Sequence, residues 1–332
     1  MAFSPNAGSP VAFGTGQSSP ADDRSLFLKK FTGEVLTAFT LATVTKGKFN
    51  ERNIQGGKSA QFIRTGDSMA EYLTRGQEMM GNPYATGEVE ITLDGLLVAH
   101  HALFDLDTLM SQFDIRGPMT TSMGQALAEV YDRNNYRAAI LAARQAAVGP
   151  FPGGSRIVAA DLLTSGVIDG MAWMARIREA KAALYAKKVP LTSTIYMAVP
   201  YAVFDALKYA RDSVSGHFVN LTTTIQLAAA GEGANVTEAI RFEGVNIYPT
   251  QLVPNTNESA ATSVYPKYRA DYSKTSAVMW TPDAVGVLTL RGMSTEVERS
   301  ARRQEDFIVT SQASGHGTLR AECAVEFALP AA

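Results

Sequence analysis

The longest regular hydrophobic pattern in the chain lies between residues 119 and 147. Apolar side chains recur there at steps of three and four, the spacing of one helix face: Met123, Leu127, Val130, Tyr131, Ile140 and Leu141. Ser122 and Gln125 have the spacing of a capping box, and Gly149-Pro150 follows as a stop. The pattern predicts one helix from about 119 to 147, which at about 1.5 Å per residue would be roughly 40 Å long. On periodicity alone, an ordinary bundle or core helix is the favoured interpretation.

Residues 46–94 differ from the long helical segment in residue pattern and glycine content. Seven glycines fall here, and short stretches at 60–64 and 89–93 alternate apolar with polar residues around a polar middle. This alternation predicts a long two-stranded ribbon. Its outgoing limb, 46–64, carries five basic residues and one acidic residue, whereas its returning limb, 65–94, carries one basic residue and six acidic ones.

Opposite charges across the two limbs are explained sufficiently by pairing within the ribbon, since each cross-strand pair contributes up to about 1 kcal/mol. An isolated two-stranded ribbon is nevertheless only marginally stable in water, because its apolar side has no cover of its own. We therefore expect a neighbouring subunit to cover the ribbon.

The remaining chain predicts a mixed α+β fold. Residues 1–21 contain no charged side chain and read as an arm without its own core, followed by the apolar residues Phe27 and Phe31. A second helix is expected at 165–187, with Ile168, Met171, Ala175 and Ala182 on its apolar face. Strands are expected from their alternation or apolar character: 194–199, 242–253, 277–281, 285–290, 307–310 and 320–327. Residues 255–273 are expected to form a polar surface loop, and Cys323 to be a buried, inert thiol.

Composition narrows the function classes. The chain has 332 residues, is 46% hydrophobic and has no apolar run of transmembrane length, so a membrane partner is not expected. Only 19% of its residues are charged, which hints at surface hidden in contacts, and the net charge of −2 argues against a strongly basic nucleic-acid face. A single cysteine excludes an internal disulfide, and four histidines do not favour a dedicated zinc site.

No catalytic motif survives inspection. Gly56-Gly57-Lys58-Ser59 resembles part of a phosphate-binding loop, but Arg52 stands where that motif needs its first glycine. His100 and His101 are adjacent and point to opposite faces of a strand. Gly315-His316-Gly317 has no partnered nucleophile and is typical of a turn. We therefore expect no enzyme and no cofactor, with a hydrolase as the remote alternative.

Six collinear pieces carry a resemblance to a known family. They are Leu-Phe-Leu-Lys at 26–29, Gly-Glu-Val-Leu-Thr-Ala-Phe at 33–39, Gly-Lys-Ser-Ala-Gln-Phe at 57–62, Ile-Thr-x-Asp-Gly-Leu-Leu at 91–97, Arg-Arg at 302–303 and Gly-His-Gly-x-Leu-Arg at 315–320. In this order the chain resembles the major capsid proteins of the T-seven-like short-tailed double-stranded DNA phages, the autographivirus group of podoviruses. The match is poor at 210–275.

The resemblance implies the Hong Kong 97-type capsid fold. It assigns an N-terminal arm to 1–45, an E-loop hairpin to 46–94, a P-domain with the long spine helix to 95–190 and 291–332, and an A-domain to 191–290. It also implies self-assembly as hexamers and pentamers into an icosahedral shell, with a scaffolding protein during assembly and a portal protein. The shell would enclose packaged DNA by non-specific proximity, within a virion assembled in the bacterial host cytoplasm. An alternative of the same fold is an encapsulin-like cellular nanocompartment.

Interface residues follow from combining the ribbon with the resemblance. Each hairpin is expected to cross a neighbour's spine helix and P-domain, burying Phe62, Ile63, Tyr72 and Leu73 while charges on both limbs set the register: Lys58, Arg64, Glu71 and Glu78. Phe27 and Phe31 are expected contacts of the arm. A P-domain strip of alternating charges is expected to form ion pairs rather than to bind DNA: Glu298, Arg299, Arg302 and Arg303.

Overall fold

The computed structural model describes residues 44–330 apart from 67, 69, 74, 77, 79–80, 82–83, 105–115, 164–167, 191, 211–238 and 301. The predicted arm contacts Phe27 and Phe31 therefore lie outside the described residues. The chain divides into two compact units, one containing 95–130 and 291–314 and the other containing 44–94, 131–290 and 315–332.

The first unit contains antiparallel strands. Strand β4 (Leu97–Phe104) pairs with β11 (Glu305–Thr318), placing Phe104 opposite Glu305 and Leu97 opposite Gln312. Strand β10 (Val285–Ser300) lies on the other side of β11. His100 and His101 are adjacent, exposed positions of β4.

The long helix, α1, runs from Arg116 to Arg144, three residues earlier at each end than its pattern predicts. Pro118 sits in the first turn, where the backbone N–H that proline lacks would have no helical partner, so it does not delay the start. The predicted cap at Ser122 is therefore wrong, since Ser122 lies inside the helix with an exposed side chain.

The last two turns of α1 are buried on nearly all sides, whereas earlier turns bury one face. Gly154 lies against this end of the helix, where an added Cβ would stand 2.3 Å from the carbonyl oxygens of Ala142 and Ala143. The Gly154 N–H also donates to the Gln145 carbonyl at 2.8 Å. The close return of the chain at Gly154 explains why α1 ends before the predicted residue 147.

The core of the second unit is a six-stranded sheet in the order β5-β12-β9-β6-β8-β7. Its strands are β5 (Ser155–Val158), β6 (Ile195–Val199), β7 (Ile240–Phe242), β8 (Val245–Pro249), β9 (Thr275–Trp280) and β12 (Ala324–Ala328). All five residues of β12 are buried, so the alternation expected for a half-buried strand is wrong there. A strand covered on both faces reads as a continuous apolar run. The sheet takes β5 and β12 from the two segments assigned to the P-domain. Its other four strands come from the segment assigned to the A-domain.

Two shorter helices pack near this sheet: α2 (Gly170–Ala186) and α3 (Tyr201–Lys208). The side chain of Asp169 caps α2 by accepting from the Met171 N–H at 2.9 Å. The expected apolar face of α2 is wrong, because the buried positions are Gly170, Trp173, Met174, Ile177, Ala180 and Leu184. The spacing of the alanines in α2 does not indicate that Trp173 is on the buried face. The centre of its ring lies 5.7 Å from the centre of the Phe327 ring.

The predicted ribbon is shorter than expected. Strand β2 (Ser59–Thr65) pairs antiparallel with β3 (Thr86–Thr92), with Phe62 opposite Val89. The start of the outgoing limb is not part of this hairpin, since β1 (Asn50–Asn53) pairs parallel with the beginning of β10. The expected limb-to-limb charge pairs are not realised in the β2–β3 ladder, where Glu88 stands opposite Ile63 and Glu90 opposite Gln61.

Two further segments differ from expectation. Gly315-His316-Gly317 is part of β11 and not a turn, and the His316 side chain is 1% exposed. The segment 255–273 is not simply a surface loop, because Tyr268 and Tyr272 within it are 2% and 0% exposed. In both cases the surrounding sequence is polar and therefore does not indicate that these side chains are buried.

Candidate functional site

The base of the β2–β3 hairpin is fixed to its own chain by one buried ion pair. Arg64, on β2, pairs with Glu322, and their side chains are only 10% and 11% exposed. The Arg64 guanidinium also lies 4.3 Å from the centre of the Phe151 ring. Because removing a charged group from water is costly unless it is paired, this arrangement holds the hairpin base in one position.

The other strand of the hairpin is held by close packing. Ile91 on β3 is 2% exposed. It fills space left by two glycines: a Cβ on Gly286 would stand 2.6 Å from Ile91 Cδ1, and one on Gly317 would stand 3.0 Å from its Cγ1. Glycine at these two strand positions therefore permits the hairpin to approach the neighbouring backbone.

The hairpin exposes apolar side chains both on its base, at Ile63, and beyond it, at Tyr72 and Leu73. Ile63 is 80% exposed, Tyr72 is 104% exposed and Leu73 is 55% exposed. Tyr84 and Leu96, before and after β3, are likewise more than half exposed. Single exposed apolar residues are ordinary, but a concentration of them on one projecting element marks an interaction surface.

The charged residues predicted for the hairpin have different surroundings. Lys58, Glu71 and Glu78 are exposed, as an intermolecular role requires, whereas Arg64 has its charge partner within its own chain. Phe62 is half-buried beside Gly286 and the Arg52 guanidinium, which lies 5.6 Å from the ring centre. The structure therefore presents Ile63, Tyr72 and Leu73 more openly than Phe62.

An open groove of about 860 Å³ runs along the hairpin base. Its lining combines an apolar surface with one cationic and one anionic side chain: Arg52, Gln61, Phe62, Ile63, Thr86, Gly87 and Glu88. Arg52 is held in place by donating from Nη1 to the Gln61 carbonyl at 3.1 Å. The groove is thus a preformed surface beside the exposed apolar residues.

A buried polar chain fixes the segment that precedes the hairpin. Asp132 on α1 accepts from the Val44 N–H at 2.8 Å and from the Thr45 hydroxyl. Asn135 donates to Thr45 Oγ1 at 2.8 Å, and its Oδ1 lies 2.6 Å from His316 Nδ1. The neutral histidine therefore carries its proton on Nδ1, so that each group in the chain has a partner.

A second set of contacts fixes the end of the returning limb. Tyr268 donates from its hydroxyl to Asp94 Oδ2 at 2.7 Å, and Lys267 forms an ion pair with the same carboxylate. The Tyr268 hydroxyl also accepts from the His316 N–H at 3.0 Å. These bonds join the two polar sets at His316, so the residues before and after the hairpin are held by one connected network.

Burial shifts the protonation of this network. It raises the pKa of Asp132 to about 6, although the hydrogen bonds from Thr45 and Val44 and the charge of Lys48 act in the opposite direction. It lowers the pKa of His316 to about 3, and the positive charge of Lys267 adds to that effect. Burial also lowers the pKa of Lys48 to about 8. Each shift arises because the low-dielectric interior disfavours the charged form.

Charged residues near the β10–β11 turn pair locally. Arg299 lies 3.2 Å from Asp306, and Arg303 lies 3.5 Å from Glu305. Glu298 and Arg302 are exposed. The arginine side chains of the two pairs are more than half exposed, whereas the Asp306 and Glu305 side chains are only 7% and 8% exposed.

Sequence reasoning missed the residues that hold the hairpin, including Glu322, Gly286 and Tyr268. Their partners are far away along the chain: Arg64 and Glu322 are 258 positions apart. A tyrosine in an otherwise polar loop was the one available signal for Tyr268.

Within the described ranges, no helix is long and apolar enough to cross a membrane, and no group of three or more His, Cys, Asp or Glu side chains could hold a metal ion.

Comparisons with known proteins agree on one family. The sequence profile described as "Gp10A-like: Major capsid protein" matches residues 61–328. The major capsid protein of Enterobacteria phage T3 is 30% identical, over 96% of this chain and 95% of its own length. The major capsid protein of Escherichia phage T7 is 28% identical, over 94% of each.

Solved structures give the same result. The chain superimposes on the capsid structure of the cyanophage P-SCSP1u with a TM-score of 0.71, at 28% identity over 98% of this chain and 100% of the other. The mature capsid of bacteriophage PhiM1 also gives a TM-score of 0.71, at 17% identity over 92% of each chain, which bears on the fold alone.

Proposed function

The chain belongs to the Gp10A-like family of phage major capsid proteins, and from that premise we propose that its copies assemble as hexamers and pentamers into a closed icosahedral shell around double-stranded DNA. The Hong Kong 97-type α+β fold expected from the sequence is confirmed by the similarity to the cyanophage capsid. Relatives of the chain are structural components of capsids, in agreement with a function that is not enzymatic.

The observation that carries this proposal is a hairpin whose base is fixed to its own chain while apolar side chains on the base and the tip stay uncovered. The Arg64–Glu322 pair and the packing of Ile91 hold the base, while Ile63, Tyr72 and Leu73 remain exposed. Covering apolar surface stabilises at roughly 25 cal/mol per Å². A second copy of the chain supplies that cover, and repetition of weak contacts around a closed shell makes the whole shell stable.

Two further partners belong to the proposal. A scaffolding protein directs curvature during assembly, and a portal protein occupies one vertex of the shell. The DNA is contained without tight binding, because the net charge of −2 and the local pairing of Arg299 and Arg303 leave no strongly basic face in the described part of the chain. Assembly takes place in the bacterial cytoplasm and the protein ends in the virion.

The charges of the hairpin contribute to the register between copies. Lys58, Glu71 and Glu78 are exposed, so their side chains can pair across a contact with little desolvation cost. Reversing Lys58 with Lys58→Glu should slow or misdirect capsomer assembly and leave the folded chain largely intact. A normal yield of shells from this variant would contradict the register role.

The proposal is tested by co-expressing the chain with a scaffolding protein of a T-seven-like phage and measuring particles by light scattering and electron microscopy. Closed shells are expected from the unaltered chain and from the matched control Val158→Ser, whose 51% exposed side chain lies on β5 outside the hairpin. The double variant Tyr72→Ser/Leu73→Ser should remain soluble and folded but yield few shells. Failure of the unaltered chain to form particles would overturn the proposal.

A further inference from the structure

Residues 151–155, here called the linker segment, connect the turn after α1 to strand β5. The segment packs directly on the backbone at the end of α1. A Cβ on Gly153 would stand 2.5 Å from the Ala147 nitrogen and 2.6 Å from the Gln145 carbonyl oxygen, and Gly154 has no more room. The position of the linker segment is therefore tied to the end of α1.

The first two residues of the linker segment support the hairpin. The Phe151 ring centre lies 4.3 Å from the Arg64 guanidinium, and a Cβ on Gly87 would stand 2.8 Å from the same ring. Arg64 also donates from Nη2 to the Pro152 carbonyl at 3.4 Å. Because Arg64 and Gly87 are cross-strand partners, the linker segment contacts both strands of the hairpin at one level.

The other end of the linker segment is held by Lys187, the residue directly after α2. Its ammonium donates to three oxygens: the Gly153 carbonyl at 2.6 Å, the Gly154 carbonyl at 2.7 Å and the Ser155 hydroxyl at 2.6 Å. A lysine ammonium has three N–H donors, so these acceptors use all of them. Lys187 therefore has no donor left for a direct hydrogen bond to the hairpin.

We propose that Lys187 is a positioning residue for the hairpin. By clamping residues 153–155 to the end of α2, it fixes Phe151 and Pro152, and these two residues set the direction in which the hairpin projects. A displacement of the end of α1 is passed to the hairpin by the same route. The use of this coupling in a shell rests on the proposed function, whereas the coupling itself is a property of the single chain.

Hydrogen exchange in soluble full-length subunits, followed by mass spectrometry, tests the coupling. Lys187→Met keeps the length of the side chain and removes its three donors. It should speed exchange at the β2 and β3 amides about tenfold, the effect of losing hydrogen bonds to a charged group. Exchange at the β9 and β12 amides should change less than about twofold, because they open with the sheet and not with the hairpin.

The matched control is Lys181→Met on the same helix, whose ammonium donates to the Glu243 carbonyl. This control should leave exchange in the hairpin unchanged. Unaltered hairpin exchange in Lys187→Met would overturn the coupling. Equal acceleration in the hairpin and at β9 and β12 would also overturn it, since Lys187 would then stabilise only the chain as a whole.

Chemical rescue in a second variant isolates the ammonium group. Lys187→Cys offers one reactive thiol, because the native Cys323 is only 4% exposed. Its thiolate displaces bromide from 2-bromoethylamine, and the new C–S bond rebuilds a side chain that ends in an ammonium. Hairpin exchange should then return to the rate of the unaltered chain, whereas iodoethane, which adds the same two carbons without the nitrogen, should leave it fast. Equal rates after the two treatments would contradict the role of the ammonium.

A double-variant cycle tests the route through the linker segment. Phe151→Leu removes the ring that supports the hairpin. Because Phe151 and Lys187 act along one route, the acceleration in Phe151→Leu/Lys187→Met should be smaller than the product of the two single accelerations. Accelerations that multiply would overturn the coupling. All exchange is measured in soluble subunits, so a failure to form shells would count against the shell function alone.

Discussion

At the scale of single residues, glycines decide where backbones approach each other. A Cβ on Gly315 would stand 2.5 Å from the Thr92 carbonyl oxygen and 2.8 Å from Leu93 Cα, atoms that cannot move aside as a side chain can. Gly292, on the outer part of β10, has no neighbour within 4 Å of that position. A side chain therefore has no room at Gly315 and has room at Gly292, so the two strand positions can be compared directly.

We expect Gly315→Ala to lower the free energy of unfolding by about 1–3 kcal/mol, the cost of forcing a methyl group into packed structure. Gly292→Ala should change it by less than about 0.5 kcal/mol. Urea unfolding of soluble subunits measures both. Equal stability of the two variants would contradict the close approach of β11 to the end of the hairpin.

The pH dependence of stability has two opposing contributions from the buried network. The pKa of His316 falls from 6.5 to about 3 in the folded chain, so between those values only the unfolded chain binds the proton, and stability decreases as the pH is lowered. The pKa of Asp132 rises from 3.8 to about 6, so between those values the folded chain binds the extra proton, and stability increases as the pH is lowered.

His316→Gln should therefore flatten the loss of stability between pH 6.5 and pH 3, whereas Asp132→Asn should make the loss below pH 6 steeper. The groups facing these side chains are Lys267 beside His316 and Lys48 beside Asp132, and neither variant alters them. Urea midpoints measured from pH 7 down to pH 4 test this, and parallel curves for all three chains would contradict it.

Burial of some side chains could be predicted from the residues next to them in sequence, whereas contacts with residues far along the chain could not. Cys323 is 4% exposed, as predicted, and burial raises its thiol pKa to about 11. The strand expected from residue 320 begins only at Ala324, however, and Cys323 lies in the short 3-10 helix Ala321–Cys323. His316 and Asp132 were not predictable as partners, because the bonds joining them pass through Asn135, which lies 181 positions from His316 along the chain. Spacing along one element carries no information about such distant contacts.

At the scale of elements, hydrophobic periodicity predicts that a helix is present more reliably than it predicts where the helix ends or which elements pack against it. The spine helix was expected at 119–147 and lies at Arg116–Arg144. The face of α2 was misplaced, because its many alanines fit several stripes equally well. The hairpin was correctly paired at β2–β3, but β1 joins β10, a pairing between segments more than 200 residues apart that local pattern cannot specify.

The Arg64–Glu322 ion pair is one of the contacts that fix the base of the hairpin. Arg64→Ala should lower the free energy of unfolding by about 3 kcal/mol, because Glu322 is left buried without its partner. It should also speed hydrogen exchange at β2 and β3 amides more than elsewhere. The control is Arg291→Ala, whose partner Glu296 is 70% exposed, and whose loss should cost less than about 1 kcal/mol.

A companion variant separates charge from position. Arg64→Met/Glu322→Leu removes both charges and fills the same space with apolar atoms, so it should recover most of the stability lost in Arg64→Ala. Exchange at β2 and β3 that stays as slow in Arg64→Ala as in the unaltered chain would show that the pair does not hold the hairpin.

At the scale of the whole molecule, the capsid family and its fold followed from six collinear sequence pieces, while the residues expected to join copies remain a prediction. The family profile covers 61–328, which includes most of the hairpin and the Asp94–Tyr268–His316 contacts, whereas Val44 and Thr45 of the first polar network precede it. Interfaces between copies are formed by exposed residues, and exposure leaves a weak periodic signal. Tyr72 and Leu73 were predicted as contacts from the sequence, and the fold adds that their own chain leaves them exposed.

This incompleteness of the single chain predicts a difference in proteolysis between free and assembled copies. Arg75 is exposed at the hairpin tip and is followed by Gly76, so trypsin should cut free subunits there first. In closed shells the proposed contact between copies would cover the tip, so cleavage after Arg75 should slow at least about tenfold, because a covered loop must open before it is cut. Mass spectrometry of the fragment ending at Arg75 measures the rate, and Arg75→Gln, which cannot yield that fragment, identifies it. Equal cleavage in shells and free subunits would mean that assembly leaves the tip exposed, and the cover for Tyr72 and Leu73 would then have to be sought outside the shell.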